Sequence, residues 1–191
     1  MRQAARACRG VKSGGVSRLQ PPFNQARWID EHLPKALGAI GNKELFKGSD
    51  FIYQVIKGPN ARNDFHLDPF DEIFYQLAGG IFVHVIEEGR ERRIPVKEGE
   101  VFLLPRGVYH SPRRPPGTIG LVVERPRKPD ELDAIAWFCP KCSHKLHEVE
   151  FWCDDIEKGL GEVIRKFNAD LSLRTCRKCG AVLPDPTQAT P

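Results

Sequence analysis

The stretch H-L-D-P-F-D-E, residues 66–72, sets His66, Asp68 and Glu72 just ahead of a strand-like run, I-F-Y-Q-L. A second histidine, His110, closes the run G-E-V-F-L-L-P-R-G-V-Y-H. Alternate side chains on a strand share a face, so His66 and Glu72, an even number of residues apart, both point inward if extension persists through the intervening turn. His110 would join them from another strand. Two imidazoles and a carboxylate on one face of an octahedron is the arrangement of non-haem Fe(II) oxygenases, and it leaves three positions for substrate and dioxygen. Arg62 stands four residues before His66, Arg114 four after His110, and Glu124 ends the run G-L-V-V-E. An arginine fork grips a carboxylate through two charge-assisted hydrogen bonds, so these arginines point to an anionic organic substrate. Strand alternation sends only one of Arg113 and Arg114 inward, and spacing does not choose between them. His84, in I-F-V-H-V-I-E, is expected to be an ordinary strand histidine; His32, His144 and His147 receive no role.

These residues need strands to position them. Between residues 50 and 124 the chain runs through F-I-Y-Q-V-I, E-I-F-Y-Q-L, I-F-V-H-V-I, R-I-P-V, V-F-L-L and I-G-L-V-V. Turn signals such as K-G-P-N, A-G-G, E-E-G-R and K-E-G-E separate them at the intervals of an all-β sandwich or barrel. Ahead of this core, N-Q-A-R-W-I-D-E-H-L-P-K-A-L (24–37) predicts a short helix with Asn24 as its cap and Pro34 as its breaker. The link E-R-P-R-K-P-D (124–130) reads as a domain boundary. The expected division is a disordered basic leader (1–22), a β-domain (23–130), a cysteine module (131–183) and a frayed tail (184–191).

Six cysteines fall at Cys8, Cys139, Cys142, Cys153, Cys176 and Cys179. Four of them form C-P-K-C and C-R-K-C, a spacing that suits a tetrahedral four-thiolate site for zinc or iron. With no coordination position left open, such a metal braces the fold. Between the pairs, Ile156, Leu160, Val163, Ile164 and Phe167 lie at one-face helical spacing behind Asp154 or Asp155, predicting a helix.

Charge and hydropathy exclude other classes. No apolar run is long enough to span a membrane and none resembles a secretory signal, so the expectation is a soluble, cytoplasmic protein. Five of the 29 basic residues lie in residues 1–20, which hold no acid, so the other 24 face 25 acids. A neutral body lacks the clustered basic charge of a zinc-ribbon nucleic-acid adaptor.

Gly58, His66, Asp68, Glu72 and Gly79, then Gly99, Pro105, Gly107 and His110, fall at spacings that resemble the two motifs of the cupin superfamily, a jelly-roll barrel. Asp68 stands where many cupins place another histidine and could also coordinate. More closely, G-P-N-A-R-N-D-F-H, E-I-F-Y-Q-L-A-G, F-L-L-P-R-G-V-Y-H-S-P-R-R-P and L-V-V-E-R resemble the 3-hydroxyanthranilate 3,4-dioxygenase family, from about Trp28 to the second cysteine pair. That resemblance implies Fe(II) on His66, Glu72 and His110. It implies that Arg114 meets the substrate carboxylate, Glu124 its amino or hydroxyl group, and that Arg62 helps place dioxygen or substrate; Glu72 touches substrate as well. It further implies rubredoxin-like iron, with zinc the chemical alternative, on Cys139, Cys142, Cys176 and Cys179, and a homodimer. The implied reaction opens 3-hydroxyanthranilate with O2 to 2-amino-3-carboxymuconate semialdehyde, in tryptophan degradation through kynurenine toward quinolinate and NAD. The alternative is another metal-dependent cupin enzyme acting on an aromatic carboxylate. The sequence departs from the family at Asn63, where threonine is frequent, and in its basic leader.

Overall fold

The computed structural model describes residues 19–33, 42–60, 62–152 and 159–186. The leader to residue 18 with Cys8, the Pro34 break, Cys153, the caps Asp154 and Asp155, and the tail beyond residue 186 lie outside the described residues. Two compact units make up the chain, Met1–His32 and Leu33–Pro191. In the first, α1 (Gln25–His32) starts at the expected cap. Asn24 Oδ1 accepts the Arg27 N–H at 3.0 Å and so satisfies one of the amides that a helix start leaves open.

The second unit begins with β1 (Asn42–Glu44), β2 (Ile52–Lys57), β3 (Phe65–Leu67), β4 (Glu72–Ala78) and β5 (Ile81–Glu87). It continues through β6 (Arg90–Val96), β7 (Val101–Leu104), β8 (His110–Arg113), β9 (Ile119–Glu124), β10 (Asp133–Phe138) and β11 (Lys145–Phe151), and ends with α2 (Gly159–Ala169) and α3 (Leu171–Arg174). The strands form two antiparallel sheets, ordered β1-β2-β9-β4-β7 and β11-β10-β3-β8-β5-β6. This is the all-β jelly-roll sandwich with few helices that the sequence predicts. The six expected strand runs are β2, β4, β5, β6, β7 and β9. Their inward side chains, among them Phe74, Val83, Val85, Leu104 and Val122, make the main apolar core.

Two strands that periodicity misses carry the histidines. β3 has only three residues and β8 contains Pro112, so neither offers an alternating pattern. They pair with His66 opposite His110. The proline-rich link after β9 leads back into the sheet: β10 pairs with β3, placing Ile135 opposite His66, and with β11 on its other side. All six β10 residues are buried, which is why D-A-I-A-W-F shows no alternation.

α2 lies between the cysteine pairs and packs Val163, Ile164 and Phe167 against Trp137 and its neighbours; the Trp137 and Phe167 rings stack at 3.9 Å. Burying Phe167 contributes about 2–3 kcal/mol to holding this helix on the sheet. The side chains of Ile156 and Leu160 lie outside the described residues. α3 is capped by Asp170, whose side chain accepts from the Ser172 and Leu173 amides. None of the described helices is long and apolar enough to cross a membrane.

Candidate active site

The alternation of β4 turns Glu72, Phe74 and Gln76 inward and leaves Ile73 outside. Glu72 thereby meets His66 and His110 from the opposite sheet, and Asp68, one residue past β3, joins them. Ligand atoms of His66, Asp68, Glu72 and His110 all lie within 4.8 Å of one another, and all four residues are buried. The structure thus gathers the three residues of the expected triad and adds Asp68.

Hydrogen bonding settles how His110 faces this cluster. Its Nδ1–H donates to the Val108 carbonyl at 3.0 Å, which leaves the Nε2 lone pair 3.3 Å from Glu72 Oε2 and 3.6 Å from Asp68 Oδ2. Burial and then the neighbouring His66 push the His110 pKa down to about 3, so the imidazole is neutral. Burial and then the Glu124 carboxylate push Glu72 up to about 8, and burial followed by Glu72 raises Asp68. Glu72 Oε2 and Asp68 Oδ2 have no hydrogen-bond partner among the described residues. Lone pairs of nitrogen and oxygen therefore converge in a buried space, and a divalent cation satisfies them together. The residues fit a metal.

Beside this donor set lies a cationic wall. Arg114 is 3% exposed, whereas Arg113, its neighbour on β8, places its guanidinium 5.8 Å from the Phe65 ring centroid. Arg114 Nη1 reaches Gln76 Oε1 at 3.5 Å, and Nη2 has no partner among the described residues. Room for the fork comes from Gly120, where an added Cβ would lie 2.8 Å from Nη1 and 2.5 Å from Gln76 Oε1. Burial and then the charge of Arg62 hold the Arg114 pKa down to about 10, so it stays cationic at neutral pH. Arg62 is committed to Asp64, which its guanidinium grips with Nε and Nη2. Glu124 is buried, accepts from Gln54 Nε2 at 3.0 Å and lies 3.2 Å from Arg127 Nη1. Burial pushes its pKa up to about 8 against the pull of Arg127.

The cysteine pairs close a second cluster. Sγ atoms of Cys139 and Cys179 are 3.5 Å apart, those of Cys142 and Cys176 are 3.7 Å apart, and all four lie within 4.8 Å of one another. Each pair sits in the same turn: Ser143 N–H donates to the Cys139 carbonyl and Gly180 N–H to the Cys176 carbonyl. The residue after each second cysteine has a positive φ, 54° at Ser143 and 72° at Gly180. Burial acts to raise the Cys139 pKa, but the Lys141 and Cys142 backbone N–H groups outweigh it and bring it to about 7, whereas at Cys179 the Ala181 backbone N–H is outweighed by burial and the neighbouring cysteines, which push the thiol up to about 12.

A family model for 3-hydroxyanthranilic acid dioxygenase matches residues 18–168. The chain belongs to that family. A 3-hydroxyanthranilate 3,4-dioxygenase of Bacillus thuringiensis (strain Al Hakam) is 43% identical over 171 residues, covering 89% of this chain and 96% of the relative. One from Xanthomonas euvesicatoria pv. vesicatoria (strain 85-10) is 46% identical over 168 residues, covering 88% and 95%. Among solved structures, a cupin-2 domain containing protein from Shewanella frigidimarina superposes with a TM-score of 0.45 at 16% identity, over 54% of this chain and 93% of that one.

For a 3-hydroxyanthranilic acid dioxygenase the site holds more than its motifs spell out. Arg127 and Asp133, on the link and the first residue of β10, stand directly behind His66 and Asp68, and sequence reasoning passed over both. Gln54 and Gln76 were missed as well, although a buried glutamine on an otherwise apolar strand is a readable signal. His84 is an ordinary strand histidine, bonded to Glu91 at 2.5 Å.

Proposed function

We propose that this 3-hydroxyanthranilic acid dioxygenase family member opens the ring of 3-hydroxyanthranilate between its hydroxyl-bearing and carboxyl-bearing carbons. Dioxygen is the second substrate and 2-amino-3-carboxymuconate semialdehyde the product, on the route from tryptophan toward quinolinate and NAD. His66, Glu72 and His110 would hold a ferrous ion. When bound, that ion brings the aromatic substrate and dioxygen together and lets electron density pass from the ring to oxygen.

The protein's own groups orient and enclose. The observation that carries the reading is the buried Arg114 guanidinium, whose Nη2 has no partner among the described residues and whose charge is felt by Glu72 of the imidazole–carboxylate cluster. A carboxylate on the ring supplies the partner it lacks and fixes the ring's direction. Glu124, whose Oε1 accepts from Gln54 and whose Oε2 lies 3.2 Å from Arg127, would meet the amino or hydroxyl group. Arg62, held rigid by Asp64, adds a fixed positive field that helps place dioxygen or substrate. His66, Asp68, Glu72, His110 and Arg114 are at most 7% exposed, so water is kept from the reacting atoms.

Purified protein given Fe(II) and 3-hydroxyanthranilate in air should develop the absorbance of the ring-opened product and consume one dioxygen per ring. Product without oxygen uptake, or uptake without ring opening, overturns the reading. At the cysteine site the same proposal takes iron, with zinc as the alternative that metal analysis separates. A homodimer is supported by Ile73 on β4 and Val101 and Leu103 on β7, neighbouring apolar side chains on the outer face of the five-stranded sheet that are 42%, 67% and 56% exposed. Sedimentation at a single protomer mass would overturn it.

A further inference from the structure

We propose that Arg127 and Asp133 are positioning residues that set the orientation of His66 and anchor Asp68 and Glu124 around the iron site. The proposal rests on the reading of His66 as an iron ligand and goes beyond it.

Asp133 stands directly behind His66. Its Oδ2 accepts from His66 Nε2 at 2.8 Å, so the other ring nitrogen, Nδ1, keeps its lone pair and faces Asp68 Oδ2 at 3.2 Å, inside the cluster. A ligating histidine whose second nitrogen is fixed by a carboxylate is held in one tautomer and one ring orientation. Asp133 would itself be free to turn without Arg127. Nε and Nη2 of that guanidinium donate to Asp133, at 3.0 Å to Oδ1 and 2.7 Å to Oδ2.

The same guanidinium reaches two further acids. Nη2 donates to Asp68 Oδ1 at 2.9 Å, and Nη1 is 3.2 Å from Glu124 Oε2. Its carbon lies 4.8 Å from the Phe70 ring centroid, and its side chain is 3% exposed. One planar fork thus contacts three buried carboxylates from the segment after β3, the end of β9 and the start of β10, geometry that the point charge of a lysine cannot reproduce. The arrangement ties the metal side of the site, His66 and Asp68, to the substrate side, Glu124.

The test uses the full-length protein loaded with both metals. Asp133→Asn keeps the shape and removes the charge; it should weaken Fe(II) binding at the histidine site about 10- to 100-fold in chelator competition, the usual cost of losing such a partner. The cysteine-site metal should stay at one per chain. Arg127→Lys should weaken Fe(II) binding likewise and also raise KM for 3-hydroxyanthranilate, because Glu124 loses its anchor. Arg127→Lys, which retains the buried charge, decides the matter if Asp133→Asn does not fold. Wild-type Fe(II) affinity in a folded variant of either kind overturns the proposal, as does equal loss of both metals, which marks a general lesion. His66→Ala separates the two readings: if it still binds Fe(II) like wild type, the ligand assignment falls; if it loses iron while Asp133→Asn does not, only the positioning role falls.

Discussion

The two clusters are built on opposite plans. The cysteine cluster takes its four thiols from two short, nearly identical turns, each local in sequence and closed by the same backbone hydrogen bond. The histidine–glutamate site takes its groups from β3, β4 and β8 in two different sheets, and its donors stay unsatisfied without a cation. A closed four-sulfur shell gives rigidity, whereas a one-sided shell in a charged cavity gives reactivity at the expense of local stability. Separate lesions should therefore have separate consequences.

The sharpest break of this contrast is His110→Ala. Removing a ligand forfeits several kcal/mol of assistance from the metal, so oxygen uptake should fall at least about a thousandfold. The cysteine-site metal should remain, as elemental analysis would show; its loss would mean the two sites are one cooperative unit. Cys139→Ser is the mirror experiment. It should release the second metal and destabilise the fold by about 4 kcal/mol or more, visible as a lower Tm. An unchanged Tm with unchanged metal content would refute the four-cysteine site.

Arg114→Ala sharpens the reactive side alone. Loss of one partner of a buried carboxylate pair costs about 3 kcal/mol, so kcat/KM should drop about a hundredfold, with both metals retained. The smallest effect belongs to Asn63, whose Nδ2 donates to Asn168 Oδ1 and the Pro184 carbonyl while its Oδ1 accepts from Trp137 Nε1. Asn63→Ala should cost about 1–3 kcal/mol in denaturant unfolding by stranding these buried groups. Full catalytic iron in that variant would show that the seam between the two regions is structural.

Sequence legibility followed the same divide. Cys139, Cys142, Cys176 and Cys179 announce themselves because the chemistry is contained in four-residue words. His66, Glu72 and His110 needed glycines and a proline to agree in spacing from Gly58 to Gly79 and from Gly99 to His110, and parity on β4 correctly turned Glu72 inward with Phe74. β3 and β8 are marked by the histidines' spacing rather than by hydrophobic alternation, because three residues, or four with a proline, leave no periodicity to count. Arg127 escaped because E-R-P-R-K-P-D looks like a solvated linker, and only the fold folds its guanidinium back among Asp68, Glu124 and Asp133. Asp133 escaped because a strand buried on both faces has no polar rhythm against which an aspartate stands out. Asn63, a departure from the family's frequent threonine, gains its reason from Trp137 and Asn168, residues more than seventy positions away along the chain.

β10 ties the carboxyl-terminal third of the chain to the histidine cluster. The strand lies against His66 at its middle, offers Asp133 at its first position, and runs directly into Cys139. A fragment ending at residue 130 would carry every motif that spells oxygenase and still lack the neighbour that braces β3. The same six-residue strand thus brings the last acid behind His66 and the first of the four cysteines into one continuous stretch of chain.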